Sequence, residues 1–599
     1  GYQFSDDLNW NRGNHNIKIG WTIRRDNVSD YSPSEFTGSP EAVAFNNSFQ
    51  QGQVDEWVEN FPTHYDQSVA LYAMGGYIQD QWKPMPNLTL TVGLRLEHGS
   101  NPTCANNCFA RLPGDFSNTT SSPDAPYQNI LTYDQHVAFK SLQKVGYEPR
   151  VGFAYLPGGS DSKTTVRGGF GMFSDSFPGQ IADSFLNNPP TNIAFTLLSS
   201  TILGPPSTST YALIPGVAPN ASATQGSARD VATASSQAFS SGFAHGATFN
   251  SLSAVPGFSP PSITTAAEHI NYPTYEEWSL TLERELTPTV SLSVGYVGNH
   301  TYHQPIVDNS VNAFGFGSLP AGPNPNFGAA TQVYSAGGSN YNGLITSLVD
   351  RSRWLTLQLN YSYSHALDDV SNGGFDGFGA NSENPSNPNI SLLSDNYGNA
   401  DYDTRHYVSG AYVITVPHWG GPRALTDGWK ISGTTFHNTG YPFSVTANAV
   451  ASGIPYYGGP LYAQQIAPIT DNHCGGAAHS AFAASPVACS FVADFADPTG
   501  FGQGRRNSMF GSSYTDSDLS LAKNFQVPGW ESAKLTLAIA AYNVFNHPNF
   551  AQANGNIDSG AGSFGLISGT VNTPTSILGS FLGGDASPRL MQTNIKFSF

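Results

Sequence analysis

The ten residues LTLTVGLRLE, Leu88–Glu97, alternate strictly between an apolar side chain and a polar or small one. In an extended strand this period of two places every apolar side chain on one face. The segment LTLQLNYSYS, Leu355–Ser364, repeats the pattern. Each segment has about the 9–11 residues with which a tilted strand crosses a bilayer. The alternation therefore predicts membrane-spanning β-strands whose leucines face lipid.

The same period recurs along the chain and predicts about fifteen strands. They begin near residues 2, 15, 68, 87, 147, 163, 275, 289, 341, 354, 403, 427, 514, 533 and 590. Short turns alternate strictly with long connections, which run roughly 27–67, 99–146, 174–274, 300–340, 366–402, 439–513 and 547–589. Short periplasmic turns and long extracellular loops are typical of outer-membrane barrels. We therefore expect an all-β fold, a transmembrane antiparallel β-barrel.

The composition supports a β-protein and narrows its chemistry. Only 11% of the 599 residues are charged, whereas Gly (62), Phe (37) and Tyr (28) are abundant, and no apolar run is long enough for a membrane helix. A net charge of -18 argues against nucleic acid as a partner, and acidic loops would explain it. The motifs HExxH, CxxC and GxxxxGK[ST] do not occur in the sequence. We expect no catalytic residues, metal or cofactor.

The four cysteines form two pairs that are close in sequence, Cys104 with Cys108 and Cys474 with Cys489. Each pair lies in a Gly/Asn/Ser-rich long connection, and the two connections have the same parity along the chain. Local disulfides in an oxidising compartment are the expected state. A zinc site at Cys104 and Cys108 would need two further ligands, and no His/Cys pair lies nearby in sequence. We predict two disulfides on the extracellular side.

Acidic residues lie where one predicted strand leaves the outer rim and the next one enters it. The candidates for ligand binding are Asp368, Asp369, Asp401, Asp403 and Arg405. Gathered carboxylates can hold Ca²⁺ through six to eight oxygens. The alternative is a solvated rim on which Arg405 pairs with an aspartate. Both interpretations remain open at the level of sequence.

The final strand alternates like the others and ends in Phe599. A C-terminal phenylalanine resembles the signal by which the barrel-assembly machinery recognises outer-membrane proteins. The same apolar residues would also be found in a strand that simply packs in a core. We expect the assembly machinery to be a partner of this chain through Phe599.

Segments spread along the chain resemble the barrel of TonB-dependent receptors, especially the Oar-like subgroup. The first, YIQDQWKPMPNLTLTVGLRLEHG, has an Asp-x-Trp strand, a Pro/Asn turn and a Gly-Leu-Arg strand, as in the family. The resembling segments are Tyr77–Gly99, Glu276–His303, Ser339–Asp369, Gly504–Phe525 and Lys534–Phe550. They cover about a fifth of the chain and follow the family's order.

The resemblance implies a receptor in the bacterial outer membrane, in contact with its lipid, that imports an unidentified ligand. Energy would come from the TonB complex acting on a plug, and family members have 22 strands. Residues 1–599 would then be a partial barrel without the plug and N-terminal domains. A passive porin-like channel and a secreted all-β adhesin or glycan-binding protein are the alternatives. The presence of a plug would distinguish a receptor from a porin. Solubility without detergent would indicate an adhesin.

An odd number of strands has a consequence for closure. If fifteen strands alternate in direction, the first and the last, at residues 2–10 and 590–599, are parallel to each other. An ordinary barrel has an even number of strands, paired antiparallel throughout. We therefore expect these two edges to be left unpaired, to be partnered by segments outside this chain, or to be forced into a parallel seam.

Overall fold

The fold is known from a computed structural model of the chain. It describes residues 1–30, 39–41, 56–62, 67–176, 179–198, 228–255, 258, 260–371, 385–468, 487–488, 494–527, 529–530, 532–559, 563–570 and 589–599.

Fifteen long strands form one antiparallel wall, and we number them β1–β15 in chain order. They are β1 Tyr2–Arg12, β2 His15–Asp30, β3 Gln67–Met85, β4 Leu88–Gly99, β5 Gly146–Tyr155, β6 Thr164–Ser174, β7 Thr274–Thr287, β8 Val290–Asp308, β9 Ala330–Arg351, β10 Leu355–Asp368, β11 His406–Thr415, β12 Trp429–Asn438, β13 Tyr514–Gln526, β14 Lys534–Tyr542 and β15 Leu590–Ser598. Each strand pairs antiparallel with the next one along the chain. The predicted all-β antiparallel fold is confirmed.

The connections alternate as the sequence predicts. Short ones, at 13–14, 86–87, 156–163, 288–289, 352–354, 416–428 and 527–533, lie at one end of the wall. All the long ones lie at the other end, because consecutive strands are antiparallel. We call the two ends the turn end and the long-connection end.

Two strands reach further than the sequence period predicts. β8 continues to Asp308, and β9 begins at Ala330 rather than near residue 341. Their pairing shifts register between Thr301 and Pro305, and His303 there has a φ of 60°. An extra residue in a β-bulge shifts the alternation of apolar and polar side chains by one position. The continuation of the strand beyond the bulge therefore does not follow the period of two that precedes it.

The wall has two free edges. Among the described strands, β1 pairs only with β2 and β15 pairs only with β14. Every residue of both edge strands is exposed. Both strands run toward the turn end, so the expected parallel relation of first and last strands is confirmed.

The register separates an apolar face from a polar face. Directly paired residues of an antiparallel sheet lie on one face, so the pairs Leu94 with Ile78 and Leu359 with Gly410 continue one surface across the wall. This apolar face carries all the leucines of the two defining segments and ends with Ile595 and Phe597 on β15. Val92 is 59% exposed and Ile595 76%. Apolar side chains that face outward from a strand are what a lipid-facing surface requires.

Aromatic side chains lie near the limits of the apolar face. Trp10 and Trp82 are close to the first turn, where Trp82 stacks on His15. Trp429 begins β12 at the same end. Trp21 lies six residues along β2, which at a tilt of about 40° places it about 15 Å above the turn, inside an apolar band about 25 Å tall. Trp10, Trp82 and Trp429 correspond to one aromatic girdle of a membrane barrel, at the turn end.

The long connections contain short elements of their own. Their strands are Ser39–Glu41, Glu56–Pro62, Thr103–Cys104, Phe109–Arg111, Thr132–Gln135, Asn192–Leu198, Ile263–Ala266, Gly398–Asn399, Pro442–Phe443, Gln464–Gln465, Val487–Ala488, Phe495–Ala496, Met509–Phe510 and Leu566–Ile567. The α-helices of the chain are Tyr127–Ile130, Gly179–Asp183, Ala228–Phe243, Phe249–Leu252, Arg423–Thr426 and Asn448–Ser452. None of the described helices has the length and apolarity needed to span a membrane.

The hydrophobic core of the molecule lies in the long connections and not between the wall strands. One cluster is built around Phe109, Phe139 and Phe185, and a second around Tyr127, Phe239 and Phe327. A third joins connections 439–513 and 543–589. We call the packed part of the long connections the cap. Its closely packed aromatic pairs, such as Tyr127 and Phe239 with ring centroids 4.9 Å apart, hold distant segments together.

Candidate functional site

The acidic rim residues lie together at the base of the cap, as the sequence predicts, but each carboxylate has a partner inside the protein. Asp368 forms a buried ion pair with Arg506 at 2.6 Å. Arg506 also reaches Asp401 at 3.3 Å. Asn507 donates a hydrogen bond of 2.6 Å to the same Asp401 oxygen. The carboxylates of Asp368 and Asp401 are therefore tied to one segment of the next long connection.

The other rim candidates form two separate groups. Arg405 lies 3.0 Å from Asp403, and the backbone amide of Ala366 donates to Asp403 at 2.7 Å. The amide of Gly338 donates to Asp369 at 2.7 Å. Among the described residues there is no cluster of three or more His, Cys, Asp or Glu side chains that could hold a metal ion. Arg405 contacts an aspartate, as in the alternative interpretation, but Asp368 and Asp403 are buried and not solvated as that interpretation expects.

Burial changes the protonation of this region. It raises the pKa of Asp369 to about 6. It also raises the pKa of Asp403, although the nearby Arg405 opposes this shift. Desolvation of the Tyr402 phenol and the surrounding aspartates raise the pKa of Tyr402 to about 12, although about half of the residue's surface remains exposed. The Tyr402 phenol is therefore a neutral hydrogen-bond donor at neutral pH.

Arg506 is the member of this network that sequence reasoning missed. It is separated from Asp368 by 138 residues, and no period or spacing links them. The sequence gives only a weak indication that Arg506 is important, because it is one of two adjacent arginines, Arg505 and Arg506, in the segment that begins at Gly504. Arg505 is exposed whereas Arg506 is buried, and the sequence does not distinguish the two.

The first predicted disulfide is present, and one of its cysteines lies in a short strand that pairs with the wall. Cys104 and Cys108 are bonded, with Cα atoms 5.8 Å apart, and both are buried. The strand Thr103–Cys104 pairs with β3 at Val69 and Ala70. The other predicted pair, Cys474 with Cys489, lies outside the described residues.

The polar face of the wall is divided into a charged and an uncharged part. From β1 to β7 it carries contacts between ionisable groups, such as Tyr77 with Asp7 at 2.8 Å and Arg95 with Glu97 at 2.6 Å. From β8 to β12 hydroxyl and amide groups replace them, as where Ser347 donates to Asn360 at 2.8 Å. The second part offers hydrogen bonds without fixed charge.

A cleft opens on the polar face where these two parts meet, below the rim. Its volume is about 320 Å³. The lining side chains that matter chemically are those of Glu277, Asn299, Tyr341 and Tyr402. Tyr341 lies along β9 over Gly343, where an added Cβ would come within 2.6 Å of the Tyr341 hydroxyl oxygen. The missing side chain of Gly343 therefore makes room for this ring.

Few of the polar groups in the cleft have a described hydrogen-bond partner within the protein. Within the part of the chain that the structure describes, the Glu277 carboxylate accepts only a long hydrogen bond of 3.5 Å from Asn299. Asn299 in turn accepts from Thr301 at 2.9 Å. The hydroxyls of Tyr341 and Tyr402 have no described hydrogen-bond partner, and Tyr402 is 53% exposed. The cleft therefore presents a carboxylate and two phenols to a ligand. The sequence analysis did not single out any of these residues as a site.

The net charge of the protein resides in the long connections. The seven segments 31–66, 100–145, 175–273, 309–329, 369–405, 439–513 and 543–589 contain 24 acidic and 8 basic residues, against 19 and 17 in the rest of the chain. The sequence-based explanation of the net charge by acidic loops is thus confirmed. The field at the mouth is negative and attracts cations.

Comparison with known proteins gives one extensive family match. The model of the family described as outer membrane beta barrel domain matches residues 1–592. The comparison with curated proteins finds no match.

Several solved structures share low identity with the chain. The outer membrane transporter YddB from Escherichia coli is 10% identical, with 100% of this chain and 54% of that chain covered and a TM-score of 0.48. The ferric enterobactin receptor PfeA from Pseudomonas aeruginosa is 11% identical, with 100% and 53% covered and a TM-score of 0.44. The FrpB iron transporter from Neisseria meningitidis is 10% identical, with 91% and 50% covered and a TM-score of 0.41. This chain spans about half the length of these structures.

The family match extends over almost the whole chain and agrees with the structure described above. The apolar face, the short turns at one end and the long connections at the other are the features of a barrel in the bacterial outer membrane. The long-connection end is then extracellular, the turn end periplasmic, and the polar face lines the lumen. The chain belongs to the outer membrane beta barrel domain family.

Proposed function

We propose that this chain is the barrel of a TonB-dependent receptor of the Oar-like subgroup, and that it takes up a ligand that first binds beneath the extracellular cap. The observation that carries the proposal is the position of the cleft. It opens on the lumenal wall directly below a folded cap, as a captured ligand would require. A passive channel gains nothing from packing its long loops into hydrophobic cores across the mouth.

The free edges support the same proposal. Since β1 and β15 run in the same direction, only an odd number of further strands can join them antiparallel throughout. A barrel with more strands than these fifteen fits that condition. We propose that residues 1–599 form part of such a barrel, and that a plug and N-terminal domains belong to the same receptor outside these residues.

Two partners follow from the proposal. The TonB complex would act on the plug, and the barrel-assembly machinery would engage the final strand at Phe599. The ring of Phe599 is 83% exposed and lies 6.0 Å from those of Trp530 and Phe597. This aromatic group at the periplasmic end of an edge strand is accessible to another protein. We propose transport rather than catalysis as the activity.

Conductance in planar bilayers tests the receptor against the passive channel. We expect the natural gene product to be nearly closed to ions, and a variant from which only the proposed plug is deleted, with every barrel strand retained, to conduct strongly. A passive channel would conduct equally in both forms. The purified periplasmic domain of TonB should be retained by the first form only. Equal conductance together with no TonB binding would contradict the proposal.

A further inference from the structure

The cleft below the rim has the composition of a site for an organic cation. Glu277 supplies a carboxylate that has only one long hydrogen bond in the described part of the chain. Tyr341 and Tyr402 supply two aromatic rings on the same cleft. The electron-rich face of a tyrosine ring attracts an ammonium group, and more strongly where water is displaced. The three groups together offer charge neutralisation and contact with the alkyl groups around a nitrogen.

The described residues of this cleft offer no partner to an anion. None of the described side chains that line it is basic. The arginines of the adjacent rim are already engaged, Arg506 with Asp368 and Asp401, and Arg405 with Asp403. An anionic ligand placed next to Glu277 would lose its hydration and meet a like charge. The cleft therefore selects against negative charge.

The surroundings favour a cation on both sides of the cleft. Above it, the long connections carry 24 acidic and 8 basic residues, which raises the local concentration of cations at the mouth. Below it, the lumen-facing positions of β8–β12 carry no charge except Arg351 and Lys430, which lie at the periplasmic end. On β7 the lumen-facing Glu283 and Glu285 lie below Glu277 and pair with Arg167 and Lys163. A cation that leaves the cleft therefore meets uncharged polar groups on β8–β12 and already paired carboxylates on β7.

We propose that this cleft binds the ammonium group of an organic cation, with Glu277 as its counter-ion and the rings of Tyr341 and Tyr402 against its substituents. The inference rests on the proposed receptor function and names the chemical class of its ligand. It concerns equilibrium binding, which needs neither TonB nor a plug.

Three probes of nearly the same shape and different charge test the inference. They are choline, its neutral carbon isostere dimethylbutanol, and the anion dimethylbutyrate. Calorimetric titration into the natural gene product, extracted in detergent from outer membranes, should show binding of choline only. High salt should weaken that binding, because screening reduces the attraction of the acidic mouth.

Variants identify the groups responsible. Glu277→Gln should lower the affinity for choline roughly tenfold or more, as expected when a charged partner is lost. Tyr341→Leu should lower it several-fold. Glu276→Gln is the matched control, because the side chain of Glu276 belongs to the opposite, apolar face and its loss should leave the affinity unchanged. Circular dichroism should show equal strand content in all variants.

Several outcomes would overturn the inference: equal binding of choline and its neutral isostere, preference for the anion, unchanged affinity in Glu277→Gln, or no binding of any probe. If choline binds but the conductance and TonB-binding experiment contradicts the receptor, the cation site is supported and the receptor function is rejected. The two proposals can therefore fail independently.

Discussion

At the scale of single residues, the buried pair of Asp368 and Arg506 is the most consequential contact at the base of the cap. Removing one partner of a buried pair leaves an uncompensated charge and costs about 3–5 kcal/mol, whereas removing both is often nearly neutral. We expect Arg506→Met to destabilise the cap strongly and the double variant with Asp368→Asn to recover most of the loss. Thermal melting measures both. Arg505→Met, at an exposed position, is the control. If Arg505→Met lowered the melting temperature as much as Arg506→Met does, the importance of the Asp368–Arg506 pair would be refuted.

The raised pKa of Asp369 predicts a pH dependence. Burial brings this pKa to about 6, above the value of about 3.9 for an exposed aspartate. The folded protein therefore binds this proton more tightly than the unfolded chain, so stability falls as pH rises through about 6 and is regained on acidification. Protection factors for hydrogen exchange of residues 385–405, which correct for the slower intrinsic exchange in acid, should be higher at about pH 5 than at neutral pH. Asp369→Asn should reduce this difference, and the exposed Asp395→Asn should not.

The assignment of the two faces can be tested with adjacent residues of β10. Leu359 lies on the apolar face and Gln358 on the polar face. An arginine in place of Leu359 would enter the lipid near the bilayer midplane, at a cost of about 2–4 kcal/mol. Gln358→Arg would point into the lumen and cost little. Unfolding in urea from lipid vesicles measures the loss of stability in each variant. A larger loss for Gln358→Arg than for Leu359→Arg would mean that the two faces are wrongly assigned.

At the scale of elements, the wall was predictable and the cap was not. All fifteen wall strands lie at the places that a period of two predicts, because each strand has one face toward lipid and one toward the lumen. The period fails at the bulge near His303. The cap residues Phe109, Phe139 and Phe185 pack together without any regular spacing, since their contacts join different connections. The same reason hid Arg506 and the cleft, which is formed by four separate segments.

The second cysteine pair remains a prediction at this scale. Cys474 and Cys489 both belong to connection 439–513, on the same side of the membrane as the Cys104–Cys108 disulfide. Two cysteines close in one connection can bond without distorting the wall. Peptide mass mapping of non-reduced protein should recover a Cys474–Cys489 peptide. Free thiols, or a crosslink from either residue to Cys104 or Cys108, would contradict it.

At the scale of the whole molecule, the free edges predict poor behaviour of these fifteen strands in isolation. The outer edges of β1 and β15 present backbone groups that lipid cannot satisfy and that invite pairing with other chains. We expect residues 1–599 alone to aggregate on refolding into detergent, and the natural gene product to remain monodisperse. Light scattering after size exclusion compares the two. A monodisperse, fully folded fifteen-strand product would show that the edges are satisfied in some other way.

The unequal lengths of the strands give the barrel an uneven height. A strand of 22 residues such as β9, inclined by about 40°, rises about 55 Å, whereas the 10 residues of β11 rise about 25 Å, the thickness of the apolar band. The tip of the β8–β9 pair therefore stands some 30 Å above the lipid, and β3, with 19 residues, rises about 20 Å above it at another place on the wall. An epitope inserted into the tip of the β8–β9 pair, between Ala321 and Gly322, should be accessible to antibodies on intact cells, and one inserted at Pro288 should require permeabilised cells.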